Sequence, residues 1–242
     1  MPHLPKWIVD SMENLMSSKF FDAHIVSIFY LNPEIVKITF KADLINMDFF
    51  PGWPFMSRVG SKDLRHYTAS SFNKETGLFD IIYHLHGEGP GSDLAANIHT
   101  GDVIRMGVPA GKKMYVPESK HHFFFGDETS ISFMTILINN IQIDNGVYKG
   151  ILELKDENLT LKNVIDLDLE IVRRTPEYPG MNAINYLQQI SNERDFPLEK
   201  TIFYLTGNVA SIQAFRKELK KIDVDSKNIK LQGYWAEGSV GL

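Results

Sequence analysis

Polar and apolar positions change rhythm twice along the chain. Near the start, Trp7, Ile8, Met12, Leu15 and Met16 recur at helical spacing, which predicts a short amphipathic helix over residues 5–17. From residue 23 to 111 the pattern becomes short alternating runs rich in β-branched and aromatic residues, at 23–30, 35–41, 64–70, 78–86 and 102–108. Asn32-Pro33, Asn73, Gly77 and Gly101 punctuate them. Five or six strands at this spacing predict a small antiparallel barrel, taken here as six-stranded.

Beyond Gly111, strand-like runs alternate with helical ones. Residues 122–126, 147–154, 167–173, 201–206 and 228–233 read as strands, and 130–140, 182–191 and 210–221 as helices. Such alternation predicts a parallel sheet covered on both faces. The Phe123-Phe124-Phe125 run suits a strand buried on both sides. The expected organisation is an antiparallel barrel domain over residues 1–118, with residues 1–20 as an extension, and a parallel-sheet α/β domain over 119–242.

Composition narrows the chemistry. The 242 residues are 43% hydrophobic and 23% charged, so the chain can bury a core, and a net charge of −5 lacks the basic footprint that phosphate-backbone binding needs. No nucleic-acid partner is expected. With no cysteine, disulfides, Cys-bound zinc and Cys-bound iron–sulfur clusters are excluded, so redox chemistry needs a borrowed cofactor. Neither a basic stretch leading into an apolar signal core nor an apolar run of about 20 residues occurs, so the expectation is a cytoplasmic protein without a membrane partner.

Two stretches carry candidate chemistry. In Arg65-His66-Tyr67-Thr68 a strand places Arg65 and Tyr67 on one face and Thr68 on the other. A ring for stacking, a planar fork for phosphate and a hydroxyl suit a flat phosphorylated ligand. The same residues also suit an ordinary barrel strand with a surface arginine. In His86-Gly87-Glu88-Gly89-Pro90-Gly91-Ser92, glycines precede a predicted helix at 93–98, and free amides at a helix start favour an anion. A capped turn explains that stretch equally well.

Further along, Gly126-Asp127-Glu128-Thr129 ends a strand and opens a helix, so Asp127 and Glu128 suit helix capping. Arg173 and Arg174 end another strand and suit either a ligand phosphate or solvent. His84, His86 and the His121-His122 pair offer imidazoles without a clear third ligand, so no metal site is expected. A Gly-x-Ser-x-Gly elbow and a phosphate loop are both missing, which removes the usual hydrolase and kinase signatures.

Taken together, these stretches resemble the siderophore-interacting protein family, flavin-dependent ferric reductases related to ferredoxin reductases. The resemblance runs through Gly101-Asp102, Gly107-Val108-Pro109-Ala110-Gly111, Gly126-Asp127-Glu128-Thr129 and Gly233-Tyr234-Trp235, covering residues 22–238. It implies FAD held by Arg65, His66, Tyr67, Thr68, His86, Gly89, Pro90, Gly91 and Ser92 on the barrel. It also implies that NADPH or NADH is met in the second domain, with Asp127, Thr129, Arg173, Tyr234 and Trp235 at the cofactors. The implied activity passes electrons from NAD(P)H through FAD to a ferric siderophore or other ferric chelate, releasing Fe(II), with no catalytic side chain and no protein-bound metal. Thr206-Gly207-Asn208 stands where the family has Ala-Gly-Glu, and Ala236 where it has arginine. These departures motivate an alternative, an FAD protein that has lost direct NAD(P)H use and takes electrons from a partner such as ferredoxin.

Overall fold

The computed structural model describes residues 19–60, 63–87, 89–190 and 196–239. The helix expected at 5–17 and Glu88 of the glycine-rich stretch lie outside them. The chain divides between Lys113 and Met114 into two compact units.

The first unit holds strands β1 (Phe20–Asn32), β2 (Ile35–Lys41), β3 (Pro54–Arg58), β4 (Leu64–Thr68), β5 (Ser71–Asn73), β6 (Leu78–His84) and β7 (Val103–Gly107). Helix α1 (Pro90–Asn97) follows β6. All ladders are antiparallel, in the order β4-β3-β7-β1-β2-β6-β5. Among the described residues the sheet thus has seven strands, where six were expected. The strand Pro54–Arg58 lies outside the expected runs; it opens on a proline, which is tolerated as the first residue of a strand. The run expected at 64–70 ends at Thr68 as β4, and after a break at Ala69-Ser70 the chain forms β5, which lies beyond the expected run.

That break decides the shape. β4 and β5 are the two edges of the sheet, yet only Ala69 and Ser70 separate them. Three Cα steps span at most about 11 Å, whereas six interstrand spacings in a flat sheet span about 29 Å. The sheet must curl until its edges approach. Phe55 on β3 accordingly meets Phe79 on β6, four positions away in the strand order, with ring centroids 4.9 Å apart. Phe40 stacks on Phe79 at 5.0 Å and Phe21 meets Phe55 edge-on at 5.9 Å, so aromatic rings fill the interior.

The second unit is a five-stranded, wholly parallel sheet: β8 (His121–Gly126), β9 (Val147–Leu154), β10 (Glu170–Arg173), β11 (Thr201–Asn208) and β12 (Ile229–Trp235). Its helices are α2 (Ile131–Ile143), α3 (Met181–Ile190) and α4 (Val209–Lys221). Phe123 and Phe125 pack with Leu187 of α3 and Phe215 of α4, while Phe124 stacks on Tyr204, which Phe133 of α2 meets from the other face. The apolar run of β8 is therefore buried on both sides, as its sequence predicts. The order β10-β9-β8-β11-β12 reverses direction between β8 and β11. In open α/β sheets the crevice at such a switch point, at the carboxyl ends of the strands, is where ligands bind.

Candidate functional site

In the barrel unit, Arg65 and Tyr67 share a face of β4, opposite Ser57 and Phe55 of β3. Helix α1 begins at Pro90, with Gly89 as its N-cap, so no side chain caps its first turn. Proline fits that first position because its missing N–H would be unpaired there anyway. The two stretches converge: a Cβ on Gly91 would collide with Tyr67 Oη and lie 3.7 Å from Arg65 Cγ. Only a residue without a side chain lets β4 and the first turn of α1 come this close.

The polar groups here are little used by the protein itself. Arg65 Nη1 donates to the Leu64 carbonyl at 2.8 Å, and among the described residues Arg65 has no carboxylate partner. Most of its donors remain for a ligand. Ser92 Oγ accepts from the Gly87 amide at 3.1 Å, which closes the glycine-rich turn while leaving the hydroxyl hydrogen to donate. Tyr67 packs on Tyr83 at 4.7 Å. Burial pushes the Tyr67 phenol up to about 12 against the opposing pull of Arg65, so it stays protonated at neutral pH. His66 and His86 are exposed, and Thr68 is half-buried at the end of β4. An accessible guanidinium, an uncapped helix start and a Cβ-free approach fit a pyrophosphate, and Tyr67 brings an aromatic ring beside them.

At the carboxyl edge of the parallel sheet the picture is the reverse, because the chain fills its own crevice. Asp127, 2% exposed, accepts hydrogen bonds from Thr129 N at 2.9 Å, Asn208 N at 2.7 Å and Trp235 Nε1 at 2.7 Å. It ties the ends of β8, β11 and β12 together and caps the helical turn before α2 in a capping box with Ser130. Gly207 has φ +103°, and a Cβ there would lie within 2.7 Å of the Asp127 carboxyl atoms, so glycine is required both sterically and conformationally. Burial, and next the neighbouring Glu128, raise the Asp127 carboxyl above its ordinary value, opposed by Arg174 and the donated hydrogen bonds.

Arg174 belongs to this interior. It ion-pairs with Glu128, donates to the Glu153 carbonyl at 3.0 Å and lies over the Trp235 ring at 5.4 Å. Of the two arginines read as phosphate ligands, Arg174 is thereby committed to the protein. Arg173 is outside, 63% exposed and paired with Asp156 at 2.8 Å, beside a groove of about 350 Å³ whose lining includes Asn182 and Tyr186. Trp235 meets Asp127 rather than standing free, and Tyr234 is half-buried.

Glu153 was missed. It sits in the apolar run Ile151-Leu152-Glu153-Leu154, where a buried carboxylate is itself a signal. Its oxygens accept from Gly180 N at 2.9 Å and Ser211 Oγ at 2.6 Å. Both ring nitrogens of His122 are engaged within the protein, and no cluster of three metal-ligating side chains occurs among the described residues. No described helix is long and apolar enough to cross a membrane.

Comparison with known proteins follows the same division. A family model described as the siderophore-interacting FAD-binding domain matches residues 14–113, and one described as siderophore-interacting protein matches residues 119–238. The chain belongs to the siderophore-interacting protein family. Membership places it among flavin-dependent oxidoreductases. The siderophore-interacting protein SipS of Aeromonas hydrophila superposes with a TM-score of 0.73 at 18% identity, over 92% of this chain and 93% of that one. A ferredoxin NADP+ reductase from Neisseria gonorrhoeae, solved with bound FAD and NADP, gives 0.70 at 16% identity over 89% and 98%. These likenesses show the fold, an antiparallel half-barrel followed by a five-stranded parallel sheet, as in ferredoxin reductases. A curated relative, NADH-cytochrome b5 reductase 1 of Dictyostelium discoideum, is 24% identical over 189 residues, 71% of this chain. The chain spans about two thirds, 65%, of that relative's length.

Proposed function

We propose that the protein is an FAD-dependent reductase that takes electrons from NADPH or NADH and delivers them to a ferric siderophore or other ferric chelate, releasing iron as Fe(II). The observation that carries this reading is the convergence of Arg65, Tyr67 and the first turn of α1 at Gly91. Arg65 would bind a phosphate of FAD, and the amides at the start of α1, with the Ser92 hydroxyl, would hold the other. Tyr67 would offer its ring to the flavin, with Thr68 at the strand end as a hydrogen-bonding partner. Bound FAD would supply the exchange between a two-electron donor and a one-electron acceptor, so no side chain need act as nucleophile or general base. Arg173, exposed beside its groove, is the proposed contact for the dinucleotide's 2′-phosphate.

The protein should be yellow when purified or take up FAD. Its flavin band should bleach on anaerobic NADPH or NADH and return when a ferric chelate is added with a ferrous trap. A colourless protein that takes up no FAD would sink the proposal.

One observation favours a second donor. The amides of Thr129 and Asn208 are already bonded to Asp127, so a pyrophosphate at the switch point would have to rely on other groups. Under that reading a reduced ferredoxin supplies the electrons, and bleaching is slow with either nucleotide but fast with the ferredoxin.

A further inference from the structure

The parallel-sheet unit opens with a segment, residues 115–119, held by a run of hydrogen bonds that has a single consistent direction. Val116 N donates to Tyr204 Oη at 3.3 Å, Tyr204 Oη lies 3.1 Å from His122 Nδ1, and His122 Nε2 lies 3.0 Å from the Ser119 carbonyl oxygen. A carbonyl oxygen carries no hydrogen, so Nε2 is the N–H and Nδ1 of the neutral ring is the acceptor. Tyr204 then accepts from Val116 and donates to His122, and each of these groups is satisfied. The two rings are interior, with His122 1% and Tyr204 0% exposed, while Val116 and Ser119 are half-buried.

A second proton on His122 breaks this arrangement. Nδ1 would become a donor, Tyr204 Oη would receive N–H groups from both Val116 and His122, and the phenolic hydrogen would find no acceptor among the described residues. A buried donor without a partner is strongly disfavoured. The arrangement therefore rejects the imidazolium form, which a solvated histidine adopts below about pH 6.5.

We propose that His122 is the pH-sensitive element of a latch that holds residues 115–119 against Tyr204 at neutral pH and releases them in mild acid. The titratable groups around its ring are Tyr204 on β11, Tyr148 in register on β9, Tyr115 from the opening segment and Asp144 at the end of α2, while His121 beside it on β8 packs on Phe196 on the opposite face of the sheet. Tyr115 Oη donates to Asp144 at 2.5 Å, a second tie on the same segment. Burial, the largest influence, and His121 lower the proton affinity of His122, while the Ser119 carbonyl and Asp144 raise it. The balance holds it below the ordinary histidine value.

The latched ring thus binds a proton less readily than the released one. The latch is intact above the ordinary imidazole range and weakens as pH falls through it, by up to about tenfold per pH unit for one linked proton. These residues follow Lys113, where the chain passes from one unit to the other.

Hydrogen exchange at the Val116 amide of the whole protein, corrected for the intrinsic pH dependence of exchange, reads the latch directly. Opening should be about tenfold or more greater near pH 5 than near pH 7 in the parent. It should be flat with pH in His122→Gln, whose amide can serve both partners without titrating. Tyr204→Phe keeps the ring packing on Phe124 and Phe133 but removes the oxygen, and should leave Val116 fast-exchanging at both pH values. Protection that is flat in the parent, or an equal pH dependence in parent and His122→Gln, would overturn the proposal. Should His122→Gln fail to fold, a pH dependence surviving in Tyr204→Phe would overturn it equally.

Discussion

The Tyr67 hydroxyl occupies the space where a side chain on Gly91 would begin, so strand β4 and helix α1 meet through an oxygen and a missing methyl. Gly91 is not among the glycines of positive φ, so alanine there is conformationally acceptable and raises helix propensity by up to about 1 kcal/mol. Gly91→Ala should therefore still fold, but its methyl must displace the packed Tyr67 ring, which costs about 1–3 kcal/mol and offsets the propensity gain, so thermal stability should fall slightly. We expect FAD affinity, read by flavin fluorescence quenching, to fall by about tenfold, a loss of about 1.4 kcal/mol. Adding Tyr67→Phe, which removes the colliding oxygen, should restore part of the affinity. No loss in the single variant would separate this contact from flavin binding.

Arg65 tests the phosphate assignment by ligand comparison. A charge-assisted hydrogen bond contributes about 1.5–3 kcal/mol, so Arg65→Ala should weaken FAD binding by more than tenfold and riboflavin binding hardly at all. Titration of the apoprotein with each flavin measures the two constants, and equal losses would mean that Arg65 does not hold a phosphate.

The adjacent arginines should behave oppositely. Arg174→Ala leaves Glu128 buried without its cation, which typically costs about 3–5 kcal/mol, and a large fall in urea stability is expected. Arg173 pairs with Asp156 in solvent, a contribution of about 0–1 kcal/mol, so Arg173→Ala should be as stable as the parent. It should raise the Michaelis constant for NADPH more than that for NADH. An equal rise would remove Arg173 from the dinucleotide site.

Glu153 gives a pH dependence of known sign. Burial, the largest influence, raises its carboxyl above the ordinary glutamate value, against the hydrogen bonds from Ser211 and Gly180. The folded state therefore binds this proton more tightly than the unfolded chain. The stability it contributes is fully present below the ordinary glutamate range and is lost as pH rises through the raised value. Glu153→Gln, which can still accept from Gly180 and donate to Ser211, should lose less stability than the parent between about pH 4.5 and pH 7. Parallel melting-temperature profiles for the two proteins would refute this.

The sequence by itself determined the two kinds of unit. Alternation in Ile35–Lys41 and Leu78–His84 leaves one face of each strand apolar and so requires a sheet with an interior, and the triple phenylalanine of β8 requires cover on both faces. It also displayed Arg65, Tyr67 and the glycine-rich turn, because phosphate-binding chemistry needs recognisable residue types close together. β3 and β5 lay outside the expected runs: one opens on a proline, and the other is three residues long. Only the tertiary structure decided that the barrel edges approach each other, that Gly91 faces Tyr67, and that Arg174 turns inward while Arg173 turns out. These are contacts between positions distant in the chain, or choices of side-chain direction. Residue order fixes the local period of a strand or helix, but which side chains meet depends on how the sheets curl and stack, and that is set by the packing of the whole core.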